Sequence, residues 1–277
     1  MKNILIVIDA EKLNVSDINF GCQIAKMCGS RLTGVFLENN PVGETPALKT
    51  VLGIPYVETI VASDLPGYNK RSVIREENMR FFDEICTEQG ILHAAHLAKV
   101  VALDQIKSES RFADLLIINS SMHFEDNEYG EIFAFVSALQ AHAECPVLVS
   151  SANFNGIDEI VFTYDGAAAA SFAIRQFVNL FTDMGEKKIT VVLVNNYLES
   201  AEENNLKQYL LMHYPKADFH QLNGDPGQEL FKFLFPRKKA LVVMGAYSRS
   251  KIYRSFFPSI ADRLIKTLSI PIFIAHP

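Results

Sequence analysis

One pattern occurs twice in this chain, and it constrains the fold more than any single residue. Lys2–Asp9 reads Lys-Asn-Ile-Leu-Ile-Val-Ile-Asp, and Asp158–Asp165 reads Asp-Glu-Ile-Val-Phe-Thr-Tyr-Asp. Each is an apolar run that ends in aspartate and leads into a helical stretch. A second apolar run follows each helical stretch, Arg31–Leu37 in the first half and Lys188–Val194 in the second. The halves also close alike. Ala113–Asn119 matches Ala240–Met244 as a fourth strand, and Cys145–Val149 matches Ile270–Ile274 as a fifth, each with proline at its second position.

Short, continuously apolar strands alternating with amphipathic stretches predict strand–helix–strand units around a parallel sheet covered on both faces. A strand buried on both sides has no polar alternation to show. The fold class expected is α/β, as two tandem Rossmann-like domains with helices on both faces of each parallel sheet. The polar, turn-rich join near Ser151 to Asn155 divides the chain into 1–152 and 153–277. Ala169, Ala173, Phe177, Leu180 and Phe181 recur at near-helical spacing and should line the sheet-facing stripe of the first helix in the second half. Asp104–Arg111 and Gln228–Phe235 are the corresponding third helices. Asn39 to Tyr68 carries Pro41, Pro46, Pro55 and Pro66 and reads as a long irregular excursion before a helix from about Ser72 to Gln89.

The chain has 277 residues, enough for one large domain or two ordinary ones. Its net charge of −6, without a long Lys/Arg block, argues against nucleic-acid or membrane partners held by bulk electrostatics. No apolar stretch approaches the ~20 residues of a membrane helix. The start resembles a signal peptide only superficially, because its apolar run is short, ends in Asp9 and lacks a small-residue cleavage site. Cys22, Cys28, Cys86 and Cys145 show no metal or redox spacing and read as free, mostly buried thiols of a cytoplasmic protein.

Open parallel sheets bind ligands beyond the carboxyl ends of their strands. In the second half that places Asp165, Asn195, Gly245 to Arg249 and Pro258-Ser259 at the site. In the first half it places Asp9, Glu38, Asn119 to His123 and the loop before Ser137 there. Asp165 can accept hydrogen bonds from an adenine amine or a ribose hydroxyl, or can start the helix as an N-cap, and one residue can do both. For Asp9 the cap or turn reading has more support. Gly245 allows a tight turn and close backbone approach to a ligand. Ser248 can hydrogen-bond a phosphate, Arg249 can supply charge, and Ser259 near a helix start can offer hydroxyl and N–H to an anion. Pro258 has no N–H to give and is a routine first helical residue, so Pro258-Ser259 also reads as a plain helix start. In the first half, Asn119–His123 has no glycine and Phe124–Glu128 adds acids, which oppose an anion; no nucleotide site is expected there.

No catalytic residue is predicted: a nucleophile elbow, a Walker sequence, a zinc-binding pair and a paired-cysteine motif are all missing from the sequence. No metal site is predicted either. His93 and His96 fall in a strand, where an offset of three puts them on opposite faces. His213, His220 and His276 are isolated in sequence.

Gly245-x2-Ser248-x9-Pro258-Ser259, preceded by Gly224-Asp225-Pro226 and closed by a proline-led final strand, resembles the signature of the universal stress protein family, Gly-x2-Gly-x9-Gly-(Ser or Thr). The strand-Asp start at Asp165 resembles it too. The resemblance implies two copies, each a five-stranded parallel sheet with helices on both faces. It also implies antiparallel pairing of the fifth strands, here within one chain through Val147 to Val149 and Ile272 to Ile274. In ATP-binding members the matching positions would be Asp165 and Val194 near adenine and ribose. Met244, Gly245, Ser248, Ser259 and Ile260 would lie along the sugar and phosphates. Ser248 and Pro258 replace two glycines of the pattern, and many members lacking them are taken not to bind ATP. The expectation is a non-catalytic stress-response or regulatory binding module with weak or no ATP binding and no obligate cofactor. Its partners would be an unidentified protein or further copies of itself, with neither nucleic acid nor membrane. The alternative is a nucleotide-binding switch or slow hydrolase that takes ATP, ADP or AMP in the second half. A third reading, an enzyme of unrelated chemistry, has no nucleophile–base pair behind it.

Overall fold

The computed structural model describes residues 2–38, 45–51, 54–60, 68–98, 102–120, 143–151, 154, 156–182, 186–194, 200–245, 264 and 268–275. The first half contains β1 (Asn3–Asp9), α1 (Val15–Cys28), β2 (Arg31–Leu37), β3 (Thr45–Val51), β4 (Ile54–Ile60), α2 (Tyr68–Glu88), β5 (His93–Leu97), α3 (Ala102–Ser110), β6 (Leu115–Asn119) and β7 (Val147–Ser150). The second contains β8 (Glu159–Tyr164), α4 (Ala168–Leu180), β9 (Lys188–Val194), α5 (Ser200–His213), β10 (Asp218–Leu222), α6 (Pro226–Leu234), β11 (Ala240–Gly245) and β12 (Ile272–Ala275).

Ten strands form one sheet in the order β10-β9-β8-β11-β12-β7-β6-β1-β2-β5. Read outward from the centre, both halves follow the same path. Within each half every pairing is parallel. At the centre β7 and β12 run antiparallel, with Val147 opposite Ile274 and Val149 opposite Ile272. A parallel strand needs both faces covered, and alternate residues of β1 enter two separate cores. Ile4, Ile6 and Ile8 pack on one face with α1, α2, α4 and α5; that core runs unbroken across the centre to Phe162, Phe177 and Phe273. Leu5 and Val7 pack on the other face, with Ile106 of α3 and Leu230 and Leu234 of α6.

The helices start and stop where side-chain chemistry predicts. Asn14 caps α1 by accepting from the Ser16 N–H at 3.0 Å. Gly29 ends that helix in the left-handed region at φ 58°, donating to the Ala25 and Lys26 carbonyls. Asp225 caps α6 by accepting from the Gln228 N–H at 2.9 Å, with Pro226 starting the helix. The α4 stripe lies as expected: Ala169, Ala173, Phe177, Leu180 and Phe181 are all buried.

One expectation is corrected. The excursion expected to be irregular contains an antiparallel ribbon, β3 paired with β4 from Thr45 opposite Ile60 to Val51 opposite Ile54. Pro46 and Pro55 read as breaks in sequence. In a two-stranded ribbon every strand is an edge, where a missing N–H is tolerated. The helix after it begins at Tyr68, four residues ahead of the expected Ser72.

Candidate functional site

The carboxyl ends of β8 and β11 meet the first turn of α4. Asp165 follows β8, and its carboxylate accepts the Ala167 N–H at 2.9 Å. Gly166, at φ 84°, lets the chain turn there. The N-cap of α4 is thus Ala167 and not Asp165. The N-cap residue Ala167 gives no side-chain cap to the first turn of α4, whose leading N–H groups and positive dipole end lie at the edge of the sheet.

Gly245, the last residue of β11, sits directly under that turn. A Cβ added to Gly245 would lie 2.5 Å from the Ala169 carbonyl carbon and 2.5 Å from the Ala170 nitrogen. A real Cβ essentially never comes this close to non-bonded backbone, so glycine is required here for the helix to close on the strand. The sequence reading gave Gly245 to ligand approach; the structure adds a packing demand that would hold without any ligand. Met244 is buried, 3% exposed, in the core beneath α6. Val194 ends β9 two strands from β11, with β8 between them. Ser248, Arg249, Pro258, Ser259 and Ile260 lie outside the described residues, as do Asn195, His123, Ser137 and His276.

The corresponding corner of the first half is built differently. Ile6 pairs with Ile117 as Phe162 pairs with Val243. Asn119 therefore stands where Gly245 stands, and Asp9 where Asp165 stands. Asp9 accepts from the Glu11 N–H at 2.8 Å and the Lys12 N–H at 3.0 Å, which is the turn reading. Asn119 carries a side chain that Gly245 lacks, and it donates to Asp17 in the first turn of α1. Burial pushes the Asp17 carboxyl above its ordinary range, against the pull of that hydrogen bond.

Beside this corner the buried Arg75 of α2 reaches Glu11 at 3.4 Å and Glu38 at 3.5 Å, one past the end of β1 and one past the end of β2. Asn78, also on α2, donates to the Ala10 carbonyl at 2.9 Å. Among the described residues, ion pairs of the protein itself thus stand at the carboxyl ends of β1 and β2. Arg75, Glu11, Asn78 and Asp17 escaped the sequence reading because no short spacing joins them. A signal was available in Arg75, which falls on the apolar side of a helix and needs partners there.

His93 and His96 divide as expected. His93 meets Asp83 of α2 at 2.6 Å, and His96 meets Glu109 of α3 at 2.9 Å, on opposite faces of the sheet. No cluster of three metal-ligating side chains occurs among the described residues. Among them, too, no helix is long and apolar enough to cross a membrane.

No family model matches the sequence, and no curated protein matches it either. Solved structures do match in fold. A universal stress protein from Archaeoglobus fulgidus DSM 4304 is similar at TM-score 0.66 and 14% identity, over 99% of this chain and 96% of that one. A functionally unknown protein from Pseudomonas aeruginosa PAO1 is similar at TM-score 0.60 and 13% identity, over 100% of this chain and 93% of that one. Identities this low carry fold and no more. Over its whole length, the chain has the fold of the universal stress proteins.

Proposed function

We propose that this chain is a tandem universal stress protein, 1–152 and 153–277, that acts as a non-catalytic, stress-responsive binding or regulatory module with weak or no affinity for ATP. The observation that carries this reading is the first crevice. There, among the described residues, Arg75 pairs with Glu11 and Glu38 at the carboxyl ends of β1 and β2, which favours the second crevice over the first as the place for a ligand. In the second, the glycine pattern of ATP-binding members is broken at Ser248 and Pro258. Titration calorimetry with ATP, ADP and AMP, with and without Mg²⁺, tests it. The expected result is no saturable heat with ATP and no thermal shift. Robust nucleotide turnover would overturn the non-catalytic reading.

One observation favours a second reading, a nucleotide-binding switch or slow hydrolase. The N-cap residue Ala167 gives the first turn of α4 no side-chain cap, which suits a helix N-terminus that receives an anion, while the Asp165 carboxylate beside it would accept from an amine or hydroxyl at the nucleoside end. On this reading saturable binding near one nucleotide per chain appears. A Gly245→Val variant is a poor probe of it, because the new side chain collides with α4 before any ligand arrives. Asp165→Asn is the better one. It keeps an acceptor for the Ala167 N–H and removes the charge, so lost affinity at unchanged thermal stability would support a ligand role.

A further inference from the structure

We propose that Cys22 and Cys86 form a peroxide-sensitive dithiol that closes into a disulfide linking α1 to α2. Their sulfurs lie 3.7 Å apart, and both residues have no exposed surface. A disulfide needs about 2.05 Å between sulfurs, so closure asks for a movement of about 1.7 Å, within reach of side-chain adjustment on two packed helices. The proposal is independent of any nucleotide reading.

The surroundings suit one thiol to attack. Both ring nitrogens of His93 face acceptors: Nδ1 lies 2.8 Å from the Ile91 carbonyl and Nε2 lies 2.6 Å from the Asp83 carboxylate. A neutral imidazole has one N–H, so only the imidazolium satisfies both. Burial works against that charge, but the two acceptors prevail and the His93 pKa is raised. This cation and Lys26 act on Cys22. The neighbouring Cys86 thiol is the largest influence lowering the Cys22 pKa; burial opposes it, and Lys26 and His93 add to it. Cys86 moves the other way, raised by its contact with Cys22 and by burial. Cys28 and Cys145 make a built-in contrast, since burial pushes both up to about 12.

Complete burial selects the oxidant by size. Hydrogen peroxide is neutral and close to water in volume, and it can reach a closed core through small openings that exclude a tripeptide disulfide. The Cys22 thiolate attacks one peroxide oxygen, the O–O bond breaks, and hydroxide leaves and takes up the proton that Cys22 gave up. Cys22 is then a sulfenic acid. Cys86 attacks the Cys22 sulfur, the S–O bond breaks, and the departing hydroxide leaves as water with the Cys86 proton. Two thiols are oxidised, one peroxide is reduced, and two waters form. The bond encloses the β3–β4 ribbon and most of α2 in a covalent loop. It also fastens the helix whose Arg75 and Asn78 reach Glu11 and the Ala10 carbonyl beyond β1.

The test uses the native full-length chain. It is exposed to hydrogen peroxide, remaining thiols are alkylated in denaturant, and peptides are read by mass spectrometry beside a non-reducing gel and a thermal melt. The expected result is a Cys22–Cys86 linked peptide, faster migration reversed by dithiothreitol, a higher Tm, and Cys28 and Cys145 still alkylated. Peroxide treatment of folded Cys86→Ser, removal of the peroxide, and trapping of a Cys22 sulfenic acid by dimedone on unfolding in denaturant would add support, but the wild-type peptide map decides by itself. The proposal is overturned if Cys28 or Cys145 oxidises first, if Cys22 proceeds to sulfinic acid without a link, or if the link forms only in urea.

Discussion

A methyl group at Gly245 would overlap the backbone of Ala169 and Ala170, and backbone cannot step aside as the tip of a long side chain can. Gly245→Ala should therefore cost about 1–3 kcal/mol through forced separation of α4 from β11, seen as a lower urea midpoint with an unchanged m-value. Asp17 is the opposite case, a group whose present form is disfavoured. Its folded pKa lies above the ordinary 3.8 because burial penalises the charge. The folded state then holds this proton more firmly than the unfolded chain does. Asp17 thus costs stability as pH rises through the window from 3.8 upward to its folded value. Asp17→Asn should raise the urea midpoint at pH 7, and the gain should vanish below pH 3.8, where the carboxyl is protonated in both states. A constant gain at all pH values would count against the burial argument.

At the scale of elements, α2 is tied to the ends of β1 and β2 by one residue, Arg75. Arg75 joins Glu11 and Glu38, whose side chains are 19% and 20% exposed, while its own is 8% exposed. Removing it strands two partly buried carboxylates. Arg75→Ala is expected to cost about 3 kcal/mol, the low end for a broken buried pair because the glutamates keep some water. Hydrogen exchange should quicken most in α2 and least in β8 to β12. This element also marks where the sequence stopped being legible. The doubly buried strands were readable because each is a continuous apolar run, and α4 because its stripe repeats at helical spacing. Arg75 was not, since its partners come from two loops far off in the chain. The packing role of Gly245 was hidden for the same reason: spacing located a glycine after a strand, but only the placed helix reveals what lies above it. The β3–β4 ribbon was missed because four prolines outweighed the β-branched Thr45, Thr50, Val51, Ile54, Val57, Thr59 and Ile60.

At the scale of the whole molecule, the two half-sheets share one core face, and contacts tie them beyond the central strands. Lys2, just ahead of β1, donates to the carbonyls of Asn179 and Leu180 at the end of α4, where a cation also meets the negative end of the helix dipole. Phe20 of α1 packs edge-on against Phe154 at 4.6 Å in the join between the halves. The central pairing of β7 with β12 has a further consequence. Two separate five-stranded molecules meeting along these edges would obey mass action and part on dilution, whereas a covalent tether supplies a fixed local concentration that dilution cannot reach. The melting temperature of this chain should accordingly stay constant across about a hundredfold dilution, which a series of thermal melts would check. A protein built this way keeps its central seam closed however scarce it becomes in the cell, and each half is free to diverge without having to recognise its own copy.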